Sequence, residues 1–357
     1  MAVRPVTVIT GRAARHGDDV RSSMAAVVQD GYGTSDILRL AQVARPEIGP
    51  RDVLIAVRAA GLDRGTWHLM QGKPRLLRLV FGLRRPKQPV IGRDVAGTVV
   101  GVGSWVTAFA VGDDVFGVAP GSVAEYAVAR ADKLAHRPSN LTWEQAAAVP
   151  ISGGTALQAV IDVGGVAAGQ KVLITGASGG VGSYAVQLAT SVGAEVTGVA
   201  SFAKLDLVRT LGADHVLDYA GDDVADGRSH YDLIIDIAGL SDLARLRRSL
   251  TPTGTLVLVG GEGGGDWFGG TMGRQLRARL MSLFSRQRLT SVIAQERGSD
   301  YERLAVLLES EQVVPSLDRA YPLAEAADAM RHLESGAVRG KVAVTVGPFQ
   351  SSPSSFP

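Results

Sequence analysis

TGASGGVGSYAVQLA, Thr175 to Ala189, decides how this chain is read. Its glycines either cradle a phosphate or make a tight turn between two core elements, and the flanks separate these readings. Before it, KVLIT (Lys171 to Thr175) is an aliphatic, β-branched run that reads as a buried parallel strand. After it, Val181, Ala185, Leu188 and Ala189 recur at helical spacing, and Gly193 closes the helix as a C-cap would. A second strand follows in EVTGVAS, Glu195 to Ser201. Strand, glycine turn, helix and strand within about thirty residues is the context that makes the pattern a dinucleotide-binding one. The N–H groups that open such a helix lie at the positive end of its dipole, which suits a pyrophosphate. The pattern is Ala177-x-Gly179-x-x-Gly182, with Ala177 at the usual first glycine and Gly176 just before it.

The 357 residues suffice for two domains with sizeable cores, and 44 glycines with 46% apolar and 5% aromatic residues suit a Gly- and Ala-rich α/β protein. Lysine plus arginine (37) nearly balance aspartate plus glutamate (35), so no global field points to nucleic acid or a membrane. The absence of cysteine removes disulfides, a thiol nucleophile and cysteine-based zinc sites, and fits a reducing cytoplasm. No apolar run approaches the ~20 residues of a membrane span, so stable membrane insertion is not expected. Residues 1–23 lack a continuous apolar signal region and read as an N-terminal extension, and the Ser/Pro-rich residues 348–357 read as a disordered tail.

From Met24 to about Pro150 the chain reads as short strands (MAAVVQ, DVLIAVRAAG, AGTVVGVG, AEYAVA) without long helical periodicity, which predicts a compact, mostly β domain. From about Thr142 strands and helices alternate. Strands near Val172, Val196, Val216, Ile234, Val257 and Val292 predict a doubly wound parallel sheet. The final helix, Ala324 to Glu334, and the strand KVAVTV are expected to rejoin the β domain.

Eight stretches occur in collinear order between about Met24 and Val346: DVLIAVRAAGLDRGTWHLMQGKP, RRPKQPVIGRDVAGTVVGVG, VGDDVFGV, GSVAEYAV, AAAVPISGGTALQA, VLITGASGGVG, LGADHVLDY and RGKVAVTV. Together they resemble the medium-chain dehydrogenase/reductase superfamily, and more closely its zinc-independent quinone oxidoreductase branch, which includes proteins labelled NAD(P)-dependent alcohol dehydrogenase. The resemblance implies an α/β fold: a GroES-like, β-rich catalytic domain at 24–147, a Rossmann coenzyme domain at 148–299 and a returning segment at 300–347. It further implies an NADPH-dependent oxidoreductase, a homodimer, and coenzyme contacts from Thr155, Ala177, Ser178, Gly179, Gly180, Val181, Gly182, Ser201, Lys204, Tyr219, Ala238, Gly260 and Lys341. Three departures carry chemistry. Zinc alcohol dehydrogenases place a cysteine ligand near the position of Leu62 or Asp63, and a second ligand in a Gly-His-Glu motif that here reads Gly92-Arg93-Asp94. Zinc is therefore not expected. The Asn-Pro-x-Asp pattern common in the zinc-independent branch is here Asp63-Arg64-Gly65-Thr66.

Coenzyme choice is read at the end of the second strand, where a carboxylate would hold the ribose 2′-OH of NAD. The window Val199-Ala200-Ser201-Phe202 has no acid until Asp206. Ser201 as donor and Lys204 as cation suit a 2′-phosphate, hence NADPH (NADP+), and the resemblance implies that Tyr219, at a position that packs beside that phosphate in related quinone oxidoreductases, joins them; Lys204 as a solvated helix lysine and Tyr219 as a core-edge residue are the competing reading. Without zinc, conjugation must spread the negative charge that grows on an acceptor, which favours a quinone or an α,β-unsaturated carbonyl (enone) as substrate. Trp67, His68 and Arg93 are candidate donors and Asp63 a proton-relaying acid. Each has a structural alternative: packing for Trp67, a turn for His68 and a pair with Asp94 for Arg93. An NAD(P)-dependent alcohol or carbonyl dehydrogenase and a non-catalytic NADPH-binding sensor remain the rival functions.

Two segments are basic and apolar together, Lys73 to Lys87 and Gly273 to Arg288, the first with six cations and no acid. Without an aromatic stacking pattern they do not read as a nucleic-acid surface. Rims of the cleft, subunit contacts or a transient membrane-surface contact are the readings that remain.

Overall fold

A computed structural model describes residues 23–223, 229–260, 269–282 and 285–347. Of the segments named above, residues 1–22 and the tail 348–357 lie outside the described residues, as do residues 283–284 of the second basic segment.

The first part of the chain carries β1 (Ser23–Val28), β2 (Arg39–Ala44), β3 (Asp52–Leu62), α1 (Arg64–Gln71), α2 (Arg78–Phe81), β4 (Asp94–Val102), β5 (Asp114–Val118), β6 (Tyr126–Arg130) and β7 (Leu134–His136), then α3 (Trp143–Ala147) and α4 (Pro150–Leu157). β1 and β2 form an antiparallel pair, and β3, β4, β5 and β7 run antiparallel through one sheet, with β6 also on β3. Alternation explains the pairing: Val53, Ile55 and Val57 of β3 meet Val95, Val99 and Val115 in one fully buried cluster. The mostly β expectation misses α1. DRGTWHLMQ is helical because the Asp63 carboxylate accepts from the Thr66 N–H at 2.7 Å, an N-cap that a search for apolar periodicity overlooks.

The second part follows as β8 (Lys171–Thr175), α5 (Gly180–Ser191), β9 (Glu195–Ala200), α6 (Leu205–Thr210), β10 (His215–Asp218), β11 (Tyr231–Asp236), α7 (Leu243–Arg248), β12 (Leu250–Leu258), α8 (Gly269–Ser282) and β13 (Arg288–Ser291). Its six strands are all parallel in the order β10-β9-β8-β11-β12-β13. The chain reverses direction across the sheet between β8 and β11, the switch point at which such sheets bind ligands. Val172, Leu173 and Ile174 are wholly buried, as a central parallel strand requires.

Last come α9 (Gly298–Glu309), β14 (Leu317–Pro322), α10 (Ala326–Glu334) and β15 (Lys341–Thr345). β15 pairs antiparallel with β3 and parallel with β14, so the end of the chain completes the first sheet. One core cluster runs through both parts: Ala59, Ala96 and Phe116 of the first sheet share it with Tyr184 of α5 and Tyr301 of α9. This packing fixes the cleft between the two sheets.

Candidate functional site

A cleft of about 610 Å³ opens at the C-terminal ends of β8, β9 and β11 and is closed on its far side by the start of α1 and by residues 333–341. Its coenzyme wall is mainly backbone. Gly176, at φ +71°, turns the chain out of β8 in a conformation that side-chain-bearing residues rarely adopt. At Gly182 a Cβ would lie 2.1 Å from the Gly176 carbonyl oxygen, so only glycine lets α5 start this close to the strand. Gly179 precedes the helix without a side-chain cap, which leaves the opening N–H groups of α5 for a ligand. Ser178, Gly179, Gly180 and Val181 line the cleft, while Ala177 and Gly182 lie beneath the turn as packing. Thr155, Ala238, Gly260 and Lys341 also line it.

At the end of β9 the cleft brings Ser201, Lys204 and Tyr219 together. Asp206, the first acid beyond the strand, is held by Arg339 at 2.7 Å and does not line the cleft. The Lys204 ammonium donates to the carbonyls of Gly336 (2.6 Å) and Val338 (2.8 Å). Burial pushes its pKa down, with Arg339 and Arg64 adding repulsion and Asp318 opposing. Lys204, half-buried, is thus neither a freely solvated helix lysine nor free for a phosphate alone: it also pins the loop after α10 against the cleft.

The opposite wall is built from side chains. Asp63 lines the cleft with one carboxylate oxygen capping α1; the other is buried without a hydrogen-bond partner among the described residues, a state that a bound molecule or water would relieve. His68 faces the cleft from α1. Trp67, one residue earlier, turns away: its indole N–H donates to Glu334 at 3.2 Å and its ring packs with the cluster around Met330, joining α1 to α10. Arg93 is likewise outside the lining. It forms an ion pair with Glu296, which also pairs with Lys133 at 2.5 Å. Its partner is not Asp94, because that carboxylate is taken by the Lys341 ammonium at 2.9 Å and the Ile151 N–H at 2.8 Å. Both members of the Asp94–Lys341 pair are almost wholly buried. Burial raises Asp94 to about 6, with Lys341 pulling it down and the like charge of Asp63 adding to the rise.

These residues do not fit a catalytic zinc. At the position of the second ligand Arg93 is a cation in an ion pair, Asp94 neutralises Lys341, and no thiolate exists in the chain. Among the described residues no three His, Cys, Asp or Glu converge on a metal-sized point. A dinucleotide does fit: the glycine turn leaves room for its phosphates, and the N–H groups that open α5 carry no side-chain cap.

A further network escaped the sequence reading. Asp236, buried at the end of β11, accepts from the Thr175 hydroxyl at 2.7 Å and from the Arg274 guanidinium at 2.5 Å. Thr175 accepts from the N–H groups of Ile237 and Ala238, and Arg274 donates to the Ser241 carbonyl. Together they fix the 237–241 wall at the switch point. Ser152, buried against the position where a Gly180 Cβ would stand, also lines the cleft unannounced, although it sits in the same PISGGT stretch as Thr155. Only the partners, distant in sequence, reveal these roles.

A parallel sheet with a phosphate-ready glycine turn at its switch point, facing a second sheet across one cleft, defines an NAD(P)H-dependent oxidoreductase. Comparison with known proteins is consistent with this geometry. A family model described as an alcohol dehydrogenase GroES-like domain matches residues 49–139, and one described as a zinc-binding dehydrogenase matches residues 211–344. The chain therefore belongs to the medium-chain dehydrogenase/reductase superfamily, in its quinone oxidoreductase-like branch. It is 31% identical to a chloroplastic quinone-oxidoreductase homolog of Spinacia oleracea, over 90% of this chain and 98% of that one. It is also 31% identical to a chloroplastic NADPH-dependent alkenal/one oxidoreductase of Arabidopsis thaliana, over 91% of this chain and 80% of that one. Among solved structures, the quinone oxidoreductase from Coxiella burnetii superposes with a TM-score of 0.80 at 29% identity, covering 91% of this chain and all of that one. Among the described residues no helix is long and apolar enough to cross a membrane.

Proposed function

We propose that this chain is an NADPH-dependent reductase of quinones or α,β-unsaturated carbonyls that works without zinc. The observation that carries the reading is that the wall opposite the coenzyme turn offers hydrogen-bonding side chains, Asp63 and His68, and, among the described residues, no metal donor set. When bound, the nicotinamide supplies a hydride. The chain's own residues hold and orient: the N–H groups that open α5 take the phosphates, Ser201 and Lys204 favour a 2′-phosphate over a bare ribose, and Asp63 and His68, which line the cleft, hold or pass a proton at the acceptor. An acceptor whose conjugation spreads charge needs no Lewis acid from the protein. The names of the two plant relatives, a quinone-oxidoreductase homolog and an alkenal/one oxidoreductase, support the same substrate class.

The test is NADPH oxidation, followed by absorbance, with a quinone, a conjugated enone and the matching saturated ketone. The reading expects turnover with the first two, little with the third, and no change on adding a chelator. Tight NADPH binding with no turnover on any acceptor would favour a sensor, and one zinc per chain with chelator-sensitive activity would favour an alcohol dehydrogenase.

A further inference from the structure

The segment from Lys73 to Lys87 holds its backbone firmly and its apolar side chains outside. Arg78 donates to the carbonyls of Gly72 (2.9 Å) and Gln71 (3.1 Å) and lies 4.4 Å over the Tyr32 ring. The Tyr32 hydroxyl donates to Gly82 at 2.6 Å, and Lys87 reaches back to the Val80 carbonyl at 2.7 Å. The anchored segment nonetheless leaves Leu79, Val80, Phe81 and Leu83 exposed by 64%, 62%, 43% and 67%. Exposed Arg84, Arg85 and Lys87 follow them in sequence, and no acid occurs between Lys73 and Lys87. Exposed apolar side chains clustered in an anchored segment whose charges are all of one sign mark a binding surface rather than a loose loop.

We propose that this patch docks the protein reversibly on an anionic lipid bilayer. Charge chooses the occupant. A second copy meeting the patch across a two-fold axis would set its cations against their own counterparts. A few apolar side chains also fall short of the 20–30 residues per side of a standard protein interface. Phosphate headgroups neutralise the arginines and lysine, while the apolar side chains enter the headgroup–acyl boundary, the arrangement of interfacial amphipathic segments. The patch lies beside the cleft: Phe81, Arg78 and His68 line one small pocket behind α1, and His68 lines the main cleft as well. Docked this way, the catalytic side of the protein faces a reservoir of apolar molecules.

The test is co-sedimentation of the full chain with vesicles of phosphatidylcholine alone and of phosphatidylcholine and phosphatidylglycerol in equal parts. The expected result is binding to the second only, released by high salt. R84Q/R85Q should lower partitioning about 25-fold, at about five-fold per cation, and L79S/V80S/L83S should abolish it, both with an unchanged melting temperature. The readout needs no turnover, so it stands apart from the reaction proposed above. Wild type that ignores the anionic vesicles, or variants that bind as wild type does, would overturn the proposal. So would a wild-type dimer that L79S/V80S/L83S converts to monomer, because a second copy would then cover the patch.

Discussion

The coenzyme wall of the cleft is made of consecutive backbone, Gly176 through Gly182, whereas the facing wall is made of side chains whose partners lie far along the chain. The pairs that brace it from behind are Asp94 with Lys341, 247 residues apart, and Trp67 with Glu334, 267 apart. The first wall works by leaving groups unpaired for a ligand, and the second by pairing nearly every charge it holds. A change at Gly179, where the backbone is extended and a Cβ has room, should therefore alter binding with little loss of stability, whereas Gly176 and Gly182 also carry the turn itself. Changes on the second should alter stability first.

The largest effect is expected where the second wall is most buried. Lys341→Met leaves Asp94 as a lone buried charge and should cost about 3–5 kcal/mol at neutral pH, measured by denaturant unfolding. The sign with pH follows from Asp94. Its folded-state value of about 6 lies above the ordinary 3.8, so its contribution to stability is fully present below about pH 4 and lost as pH rises through about 6. Without Lys341 the rise grows, so the penalty of the substitution should shrink as pH falls toward 5. A penalty that does not change with pH would mean that Lys341 matters by packing and not by charge.

Gly179→Val tests the first wall. The backbone there is extended and a Cβ meets nothing closer than the Gly176 carbonyl at 3.4 Å, so the fold should tolerate valine. The side chain would stand in the cleft, and coenzyme affinity should fall by roughly 1.5–3 kcal/mol, the value of lost hydrogen bonds to a charged phosphate. A folded variant with unchanged affinity, read by fluorescence titration, would reduce the glycine run to a turn. A smaller effect is expected at Trp67→Phe, which loses one hydrogen bond to Glu334: about 0.5–1.5 kcal/mol of stability with unchanged kcat/KM. A large fall in kcat would instead return Trp67 to the active site.

The same contrast explains what could be read from the sequence. The parallel sheet, the glycine turn and the place of Ser201 and Lys204 at the end of β9 follow from short-range patterns, because strand, turn and helix are contiguous; Tyr219, on the neighbouring β10 end, was reached only through the family resemblance. Arg93 and Trp67 could not be placed that way. Their positions depend on Glu296 and Glu334, on elements that only the fold brings near. Lys204 shows both limits at once: its place at the cleft was legible, and its bonds to the carbonyls of Gly336 and Val338 were not. α1 was missed because its eight residues make barely two turns, too short for a helical period to stand out, and its start is marked only by a single capping aspartate.

Coenzyme preference tests the central claim most directly. Measure kcat/KM for NADPH and for NADH with one conjugated acceptor in wild type, Ser201→Asp and Lys204→Ala. The account predicts that wild type prefers NADPH and that Ser201→Asp, by setting a carboxylate against the 2′-phosphate, moves the ratio at least tenfold toward NADH, about 1.4 kcal/mol. Lys204→Ala should weaken both coenzymes, NADPH more, because the lysine also holds the loop after α10. Wild type preferring NADH, or a ratio that neither substitution moves, would contradict the account.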